Sequence, residues 1–379
     1  MTATAHSSTA KSASPGLGIT LILLTLASWT TIPLFLRHFA PLIDGWTANG
    51  WRYGFSALLW LPVLLLALRR GNVPRSLWSA ALLPSLFNAA AQVCFGLAPY
   101  YVEPGLMAFS LRLQIVFVTV GAAILFAAER RIIRSPGFLL GIGLVIAGTL
   151  ATILLRPGGL GGGTGLGVAL AIASGLLYAG YALSVRASLH GTDPMLAFSV
   201  VSQYTAVVMV GLMFAFATKD GTRDFGLQAL ALSPWQMGLL LLSSVIGIGI
   251  GHTLYFKSLQ ILGLAVSAGV VQLQPITVSI AAPFLFPQDP HLSPAQWATG
   301  ALAVAGAAVI LVVQHRAAKA ARIQPADELD SLPVDENVAL VAQSNDPQSN
   351  DPQTPAPPPS APPSSPPASP ASARSNPPA

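Results

Sequence analysis

Arg112, Gln114, Gln272 and Gln274 are the residues from which chemistry is expected first. They lie near the middle of two apolar stretches, EPGLMAFSLRLQIVFVTVGAAILFAAE at 103–129 and GLAVSAGVVQLQPITVSIAAPFLFPQD at 263–289. About 20 mostly apolar residues suffice to cross a bilayer, so each stretch reads as a membrane span. Eight or nine residues into such a span, the Arg112 guanidinium would lie roughly 12 Å deep at 1.5 Å per residue. A charge at that depth is costly and by default marks a functional site facing the bundle interior. There it can hold the carboxylate or phosphate of an anionic or zwitterionic substrate. The competing reading is a structural arginine satisfied by helix-end carbonyls or a glutamine. The amides either line a cavity or join helices to one another.

Further candidates lie in neighbouring apolar runs. Gln92 is an interior amide, and His252 in GIGIGHTLYF is either a satisfied interior histidine or a titrating group in a proton-coupled cycle. Trp29, Tyr178 and Tyr255 could stack on a ligand, as could Tyr181 and Tyr204. Pro33 and Pro275 either break the backbone ladder beside a cavity or merely kink their helices. Trp46, Trp51, Trp235 and Trp297, near span ends, read as interfacial anchors. The substrate-binding set expected from sequence is therefore Trp29, Gln92, Arg112, Gln114, Tyr178, His252, Tyr255, Gln272 and Gln274.

What is missing narrows the chemistry. No Asp or Glu falls at mid-span, which argues against a carboxylate proton relay. No GxxxxGK[ST] is present, so the chain carries no ATPase motor of its own. The single cysteine, Cys94, makes no internal disulfide and no Cys-rich metal site. Catalytic residues, metal ligands and cofactors are not expected. Ser174 and His252 could be cast as a nucleophile and base of an intramembrane enzyme, but a G-x-S-x-G elbow is missing.

Positioning such residues calls for a helical bundle. Charged residues make up 9% of the chain and hydrophobic ones 53%, with mean hydropathy +0.63, which is the balance of a polytopic membrane protein. Basic residues sit in short loops rather than on one face, so the net charge of +5 does not point to nucleic acid. Ten spans are predicted, at 17–38, 47–69, 77–98, 104–127, 136–155, 165–186, 195–217, 236–257, 263–287 and 295–314. With the N-terminus inside, twelve Lys and Arg fall in cytoplasmic segments against four outside, or five with Arg52 near the outer end of span two. That bias places both termini in the cytoplasm.

The chain is also duplicated. Shifting the first stretch by 160 lays Ala108, Leu113, Gln114, Val118, Ala122, Leu125 and Phe126 on Ala268, Leu273, Gln274, Val278, Ala282, Leu285 and Phe286, and Glu129 on Asp289. The same shift lays Gln92 on His252 and Phe95 on Tyr255. A shift of 149 lays Trp29 on Tyr178 and Arg37 on Arg186, and Arg52–Tyr53 pairs with Gln203–Tyr204. A five-span repeat inverts its second copy, the arrangement typical of secondary transporters. The expected organisation is a cytoplasmic segment 1–16, a first repeat 17–155, a Gly-rich linker 156–164, a second repeat 165–314 and a disordered Pro-rich cytoplasmic tail 315–379.

On the ten-span duplicated pattern, on RLQ and AAILFAAER between Arg112 and Arg130, on VQLQPITVSIAAPFLF at 271–286 and on the tryptophan of span one, residues 17–314 resemble the EamA-type members of the drug/metabolite transporter superfamily. The resemblance implies an all-α fold of two inverted five-span repeats and movement of small metabolites across the cytoplasmic membrane, commonly outward. Two departures stand out: PQD at 287–289 where members often show Gly-Glu, and the Pro-rich tail. The function expected is non-ATP export of small metabolites such as amino acids or drug-like compounds, by alternating access. A membrane scaffold or sensor acting through the tail is the alternative. Candidate partners are a small-molecule substrate, the lipid bilayer, a second copy of the chain and a protein that binds the tail.

Overall fold

The structure, a computed structural model, describes residues 15–323 apart from 127–129, 131–132, 190 and 263. Expectations for the segment through residue 14, for Glu129 and Arg131, and for the tail beyond 323 lie outside the described residues.

Span one is Pro15–Phe39, span two Gly45–Arg69, and span three Arg75–Ala80 continued by Leu82–Leu97. Span four consists of Pro104–Leu111 and Gln114–Leu125, span five is Pro136–Leu154, span six Thr164–Ser188 and span seven Pro194–Phe216. Span eight runs as Pro234–Ser244, a π-helical turn Val245–Ile250, and Gly251–Leu262. Span nine is Leu264–Val271 plus Gln274–Leu285, and span ten is Pro294–Ile323. Among the described residues nine helices are long and apolar enough to cross a membrane, and the ninth span contributes the shorter apolar helix Gly269–Leu285. The protein is thus an all-α polytopic membrane protein. A two-residue hairpin, Thr218–Lys219 against Thr222–Arg223, lies between spans seven and eight.

Three features differ from the sequence expectation. Spans four and nine are each interrupted rather than continuous, and span ten continues to Ile323, past the expected end at 314. Pro33 leaves span one an unbroken helix.

The helix starts follow from local chemistry. Ser135, Asp193 and Ser233 accept from the backbone N–H of Phe138, Leu196 and Gln236, and a proline follows each. That proline occupies the position where a missing N–H costs nothing. Gln236 returns the bond to complete a capping box, and Ser293 with Gln296 does the same for span ten. Within the spans, Thr25, Thr30, Ser85, Ser110, Thr119, Thr152 and Thr205 each donate to a carbonyl four residues back. Hydroxyls are thereby tolerated where no water is at hand.

Span five packs on span ten, two on seven, three on six, one on eight and four on nine. Exchange of the halves, one for six through five for ten, turns the three–six pair into the eight–one pair and leaves the others in place. This is the contact pattern of a two-fold relation between two five-span halves. The tightest seam is five against ten. A Cβ at Gly148 would stand 2.5 Å from the Ala303 nitrogen and 2.7 Å from the Thr299 carbonyl, and one at Gly306 2.7 Å from the Gly141 carbonyl. Backbones approach this closely only where side chains are absent, as at small-residue interfaces in membranes. Gly143, on the same helix, meets nothing within 4 Å. Gly148→Val therefore costs about 1–3 kcal/mol of overpacking and lowers the thermal midpoint of the detergent-purified protein in a fluorescence size-exclusion assay. Gly143→Val, the matched control, leaves that midpoint unchanged.

Candidate functional site

The site is organised by the two interruptions. Arg112–Leu113 and Gln272–Leu273 are turn residues between half-helices, at positions that correspond under the shift of 160. At both, the ladder tightens from the fourth to the third residue back: Arg112 N–H donates to the Phe109 carbonyl at 3.0 Å and Leu113 to Ser110 at 3.4 Å. Gln272 donates to Gly269 at 3.2 Å and Leu273 to Val270 at 3.0 Å. Pro275 stands in the first turn of the second half-helix of span nine. Span four breaks at the same point with no proline, so the break belongs to the repeat rather than to Pro275. Irregular backbone at membrane depth is tolerated where it is buried in protein or lines a cavity. Span six reaches this point because Gly175 has no Cβ; one there would lie 2.8 Å from the Leu111 carbonyl.

From its turn Arg112 crosses to the other half. Nη1 donates to Gln272 Oε1 at 3.3 Å, and Nη2 donates to Gln274 Oε1. Gln274 is buried and passes the chain on, its Nε2 donating to the Trp29 carbonyl at 2.7 Å. Among the described residues the guanidinium thus has two neutral amides and no carboxylate as partners, and its buried Nε has none. Its charge is solvated by amide dipoles and left uncancelled.

Trp29 joins this cluster to span eight. The π-helical turn holds an extra residue per turn, which leaves a carbonyl outside the regular ladder. The carbonyl of Gly247 accepts from Trp29 Nε1 at 3.3 Å and lies 3.2 Å from His252 Nδ1. A carbonyl partner makes Nδ1 the donor in this contact. Gly251 makes room for the indole, since a Cβ there would meet Trp29 Nε1 at 2.6 Å. An aromatic row continues from the indole: Trp29 to Tyr255 at 5.0 Å and to His252 at 5.4 Å, His252 to Phe198 at 4.4 Å, and Phe198 to Trp60 at 5.0 Å.

Of the residues expected from sequence, the structure brings Trp29, Arg112, His252, Tyr255, Gln272 and Gln274 into one connected cluster. Gln92, Gln114 and Tyr178 are half-buried and are not joined to it by hydrogen bonds among the described residues: Tyr178 lies against Phe95, and Gln114 opens the second half-helix of span four. Ser174 donates to the Ala91 carbonyl and His252 faces Gly247, so the two do not form a nucleophile–base pair. Among the described residues no group of three or more His, Cys, Asp or Glu could hold a metal ion.

Sequence reasoning missed the interior role of Arg52. It is 2% exposed, not at the rim, and its only hydrogen bond among the described residues runs from Nε to Ser243 Oγ at 2.9 Å. Nη1 is buried without a partner. Tyr53, Tyr100 and Tyr178 are its electrostatic neighbours. Its place opposite Gln203 in the duplication was the available signal, because an arginine–glutamine match also defines Arg112 and Gln272.

Among the described residues two ion pairs lie at one end of the bundle, the end that holds Asp44. Arg37 of span one grips Asp289 with two hydrogen bonds, at 2.6 and 2.7 Å, and also donates to the Pro99 carbonyl. Arg156 binds Glu103 at 2.9 and 3.3 Å. Beside them a cavity of about 460 Å³ is lined by Asp44, Tyr100, Lys219 and Gln228 among others.

The fold is that of a polytopic helical membrane protein whose two halves meet at a charged centre. Residues 165–312, the second five spans, match the profile of the EamA-like transporter family, which belongs to the drug/metabolite transporter superfamily. The match covers less than half of the chain, and it makes the second five spans similar to a family of drug/metabolite-type transporters. One solved crystal structure of a protein is similar in fold, with a TM-score of 0.51 at 16% identity over 80% of this chain and 99% of its own. No curated protein matches the sequence.

Gln274→Leu tests the cluster. It keeps the side chain's bulk but removes the acceptor for Arg112 and the donor to the Trp29 carbonyl, leaving a buried charge short of a partner. The expected cost is about 2–3 kcal/mol, read as a lower thermal midpoint. Gln114→Leu, which removes no side-chain hydrogen bond, shifts the midpoint far less.

Proposed function

We propose that the protein is a secondary, non-ATP exporter of small metabolites that carry an anionic group, amino acids and acidic drug-like compounds included, working by alternating access between its two halves. The observation that carries this reading is Arg112: a guanidinium inside the bundle, at a helix break, held by amides of the opposite half and paired with no carboxylate among the described residues. Such a group binds an anion without first surrendering an ion pair, and binding couples the halves because Arg112 belongs to one and Gln272 and Gln274 to the other. Inverted repeats with discontinuous helices at the centre are the architecture of transporters that rock about a midplane site. The aromatic row beside Trp29 offers apolar surface for the rest of the substrate.

The proposed location is the cytoplasmic (inner) membrane, multi-pass, with both termini in the cytoplasm, on the excess of Lys and Arg in the corresponding loops. In that orientation the Asp44 end faces outward, and the Arg37–Asp289 and Arg156–Glu103 pairs fasten the outer side.

Untargeted metabolite profiling of medium and cytosol checks the export reading, in cells overexpressing the wild type, Arg112→Ala, Gln274→Glu or an empty vector. A compound should accumulate outside with the wild type alone. Gln274→Glu supplies an internal carboxylate to Arg112 and should be as inactive as Arg112→Ala while inserting normally. Wild-type profiles identical to the empty vector would overturn the export reading, and export undiminished in both variants would remove Arg112 from the path.

The outer fastening gives a separate expectation. Asp289→Asn removes the charge that Arg37 grips, and the outer end should open more often. In a Cys94→Ala background carrying Ala108→Cys, a position now 3% exposed, labelling by a membrane-impermeant maleimide from outside should rise several-fold. Unchanged labelling would mean that the pair fastens nothing.

A further inference from the structure

Span two carries a row of buried polar groups that the bundle leaves unsatisfied. Asn49 Oδ1, Arg52 Nη1, Ser56 Oγ and Trp60 Nε1 are all buried with no hydrogen-bond partner. Spaced by three, four and four residues, they share one face of the helix. Buried polar atoms are ordinarily paired, so four on one stripe of one helix point to something that occupies the row when the protein works. The stripe looks into the bundle and not into lipid. Arg52 meets Ser243 of span eight, Asn49 Nδ2 donates to the Gln92 carbonyl of span three, and Trp60 lies against Phe198 of span seven.

Arg52 and Arg112 stand at nearly the same level. Tyr100 Oη donates to the Ile43 carbonyl, so the starts of spans two and four lie at the same end of the bundle. Arg52 is seven residues in from Gly45 and Arg112 eight in from Pro104, depths of about 10 and 12 Å at the helical rise. They are joined through span eight. Ser243, which binds Arg52, is one turn from Gly247, whose carbonyl binds Trp29, whose own carbonyl binds Gln274, the acceptor of Arg112. Neither guanidinium has a carboxylate partner among the described residues. The same interior thus holds two uncancelled positive charges. Each is costly inside a membrane bundle, and a ligand with one negative charge leaves one of them uncompensated.

We propose that Arg52 is a second substrate-anchoring group and that the transported species is a small dianion, with one acidic group at Arg112 and the other at Arg52, where Asn49 and Ser56 flank it. This inference rests on the export reading for the role of Arg112 and adds the charge class of the cargo. The second half supports it by contrast. The positions matching Arg52 and Arg112 are Gln203 and Gln272, so both arginines are confined to the first half and to one level of the bundle.

The test uses the full-length protein in detergent. Malonate, succinate, glutarate and adipate are titrated against thermal stability, each beside its monomethyl ester, which has the same carbon skeleton and one charge fewer. For at least one chain length the wild type should bind the diacid tenfold or more tighter than the half-ester. In Arg52→Gln, which copies Gln203, that ratio should fall to about one, whereas Arg52→Lys, which keeps the charge, should retain a preference. The wild-type ratio is informative by itself should Arg52→Gln elute abnormally on gel filtration. Equal binding of diacid and half-ester, no binding of either, or a preference that survives Arg52→Gln overturns the dianion proposal. None of these results touches the export reading, which the metabolite profiles of Arg112→Ala judge without presupposing any of these compounds.

Discussion

A guanidinium inside a membrane bundle must be solvated by something, and here the groups that solvate Arg112 are contributed by the opposite half of the protein. Gln272 and Gln274 give it acceptors, Gln274 in turn holds the Trp29 carbonyl, and Trp29 reaches Gly247. One charge thereby ties spans four, nine, one and eight together. Amides do this without cancelling the charge. A carboxylate in their place would make a stronger pair, but it would occupy the valence that a ligand needs. The arrangement gives the guanidinium partners within the fold and, on the proposed reading, leaves it able to bind an anion.

The helix breaks make that geometry reachable. A continuous helix would keep Arg112 on a fixed face and spend every backbone group on its own ladder. The turn at Arg112–Leu113 shortens the ladder locally, and Gly175 lets span six come against the Leu111 carbonyl. The π-helical turn in span eight acts in the same direction, presenting one Gly247 carbonyl to both an indole and an imidazole. Three irregularities thus converge on one cluster, each at a place where regular helix would leave Trp29, Arg112 or His252 without a partner. Backbone irregularity concentrated around polar side chains is what a site inside a membrane requires.

Much of this was legible in the chain before any coordinates. The shift of 160 aligned Arg112–Leu113 with Gln272–Leu273 and located the centre of both halves, because polar residues inside long apolar runs are rare enough to stand out. The apolar runs themselves marked the spans, and Ser-Pro and Asp-Pro pairs marked several of their starts. Other features left little trace. The break in span four has no proline to announce it, since it arises from packing against spans six and nine. The π-helical turn lies in VIGIGI, whose glycines read equally well as a packing row. The burial of Arg52 against span eight left little trace because hydropathy cannot tell a residue facing the interior from one that snorkels.

The two halves are alike in fold and unlike in charge, and that difference bears on direction. Where the first half has Arg52 and Arg112 the second has Gln203 and Gln272. A perfectly symmetric inverted repeat would present the same field to both sides of the membrane, and its two end states would have equal energy. With both arginines in the first half, at one depth, an anion meets positive potential nearer one face than the other. The Arg37–Asp289 and Arg156–Glu103 pairs lie at the same end of the bundle. On the proposed reading, an anion that pairs with these arginines interacts differently with the two arrangements of the halves. Binding can then shift the balance between the two arrangements only through that difference, because a ligand that favoured both states equally would move neither.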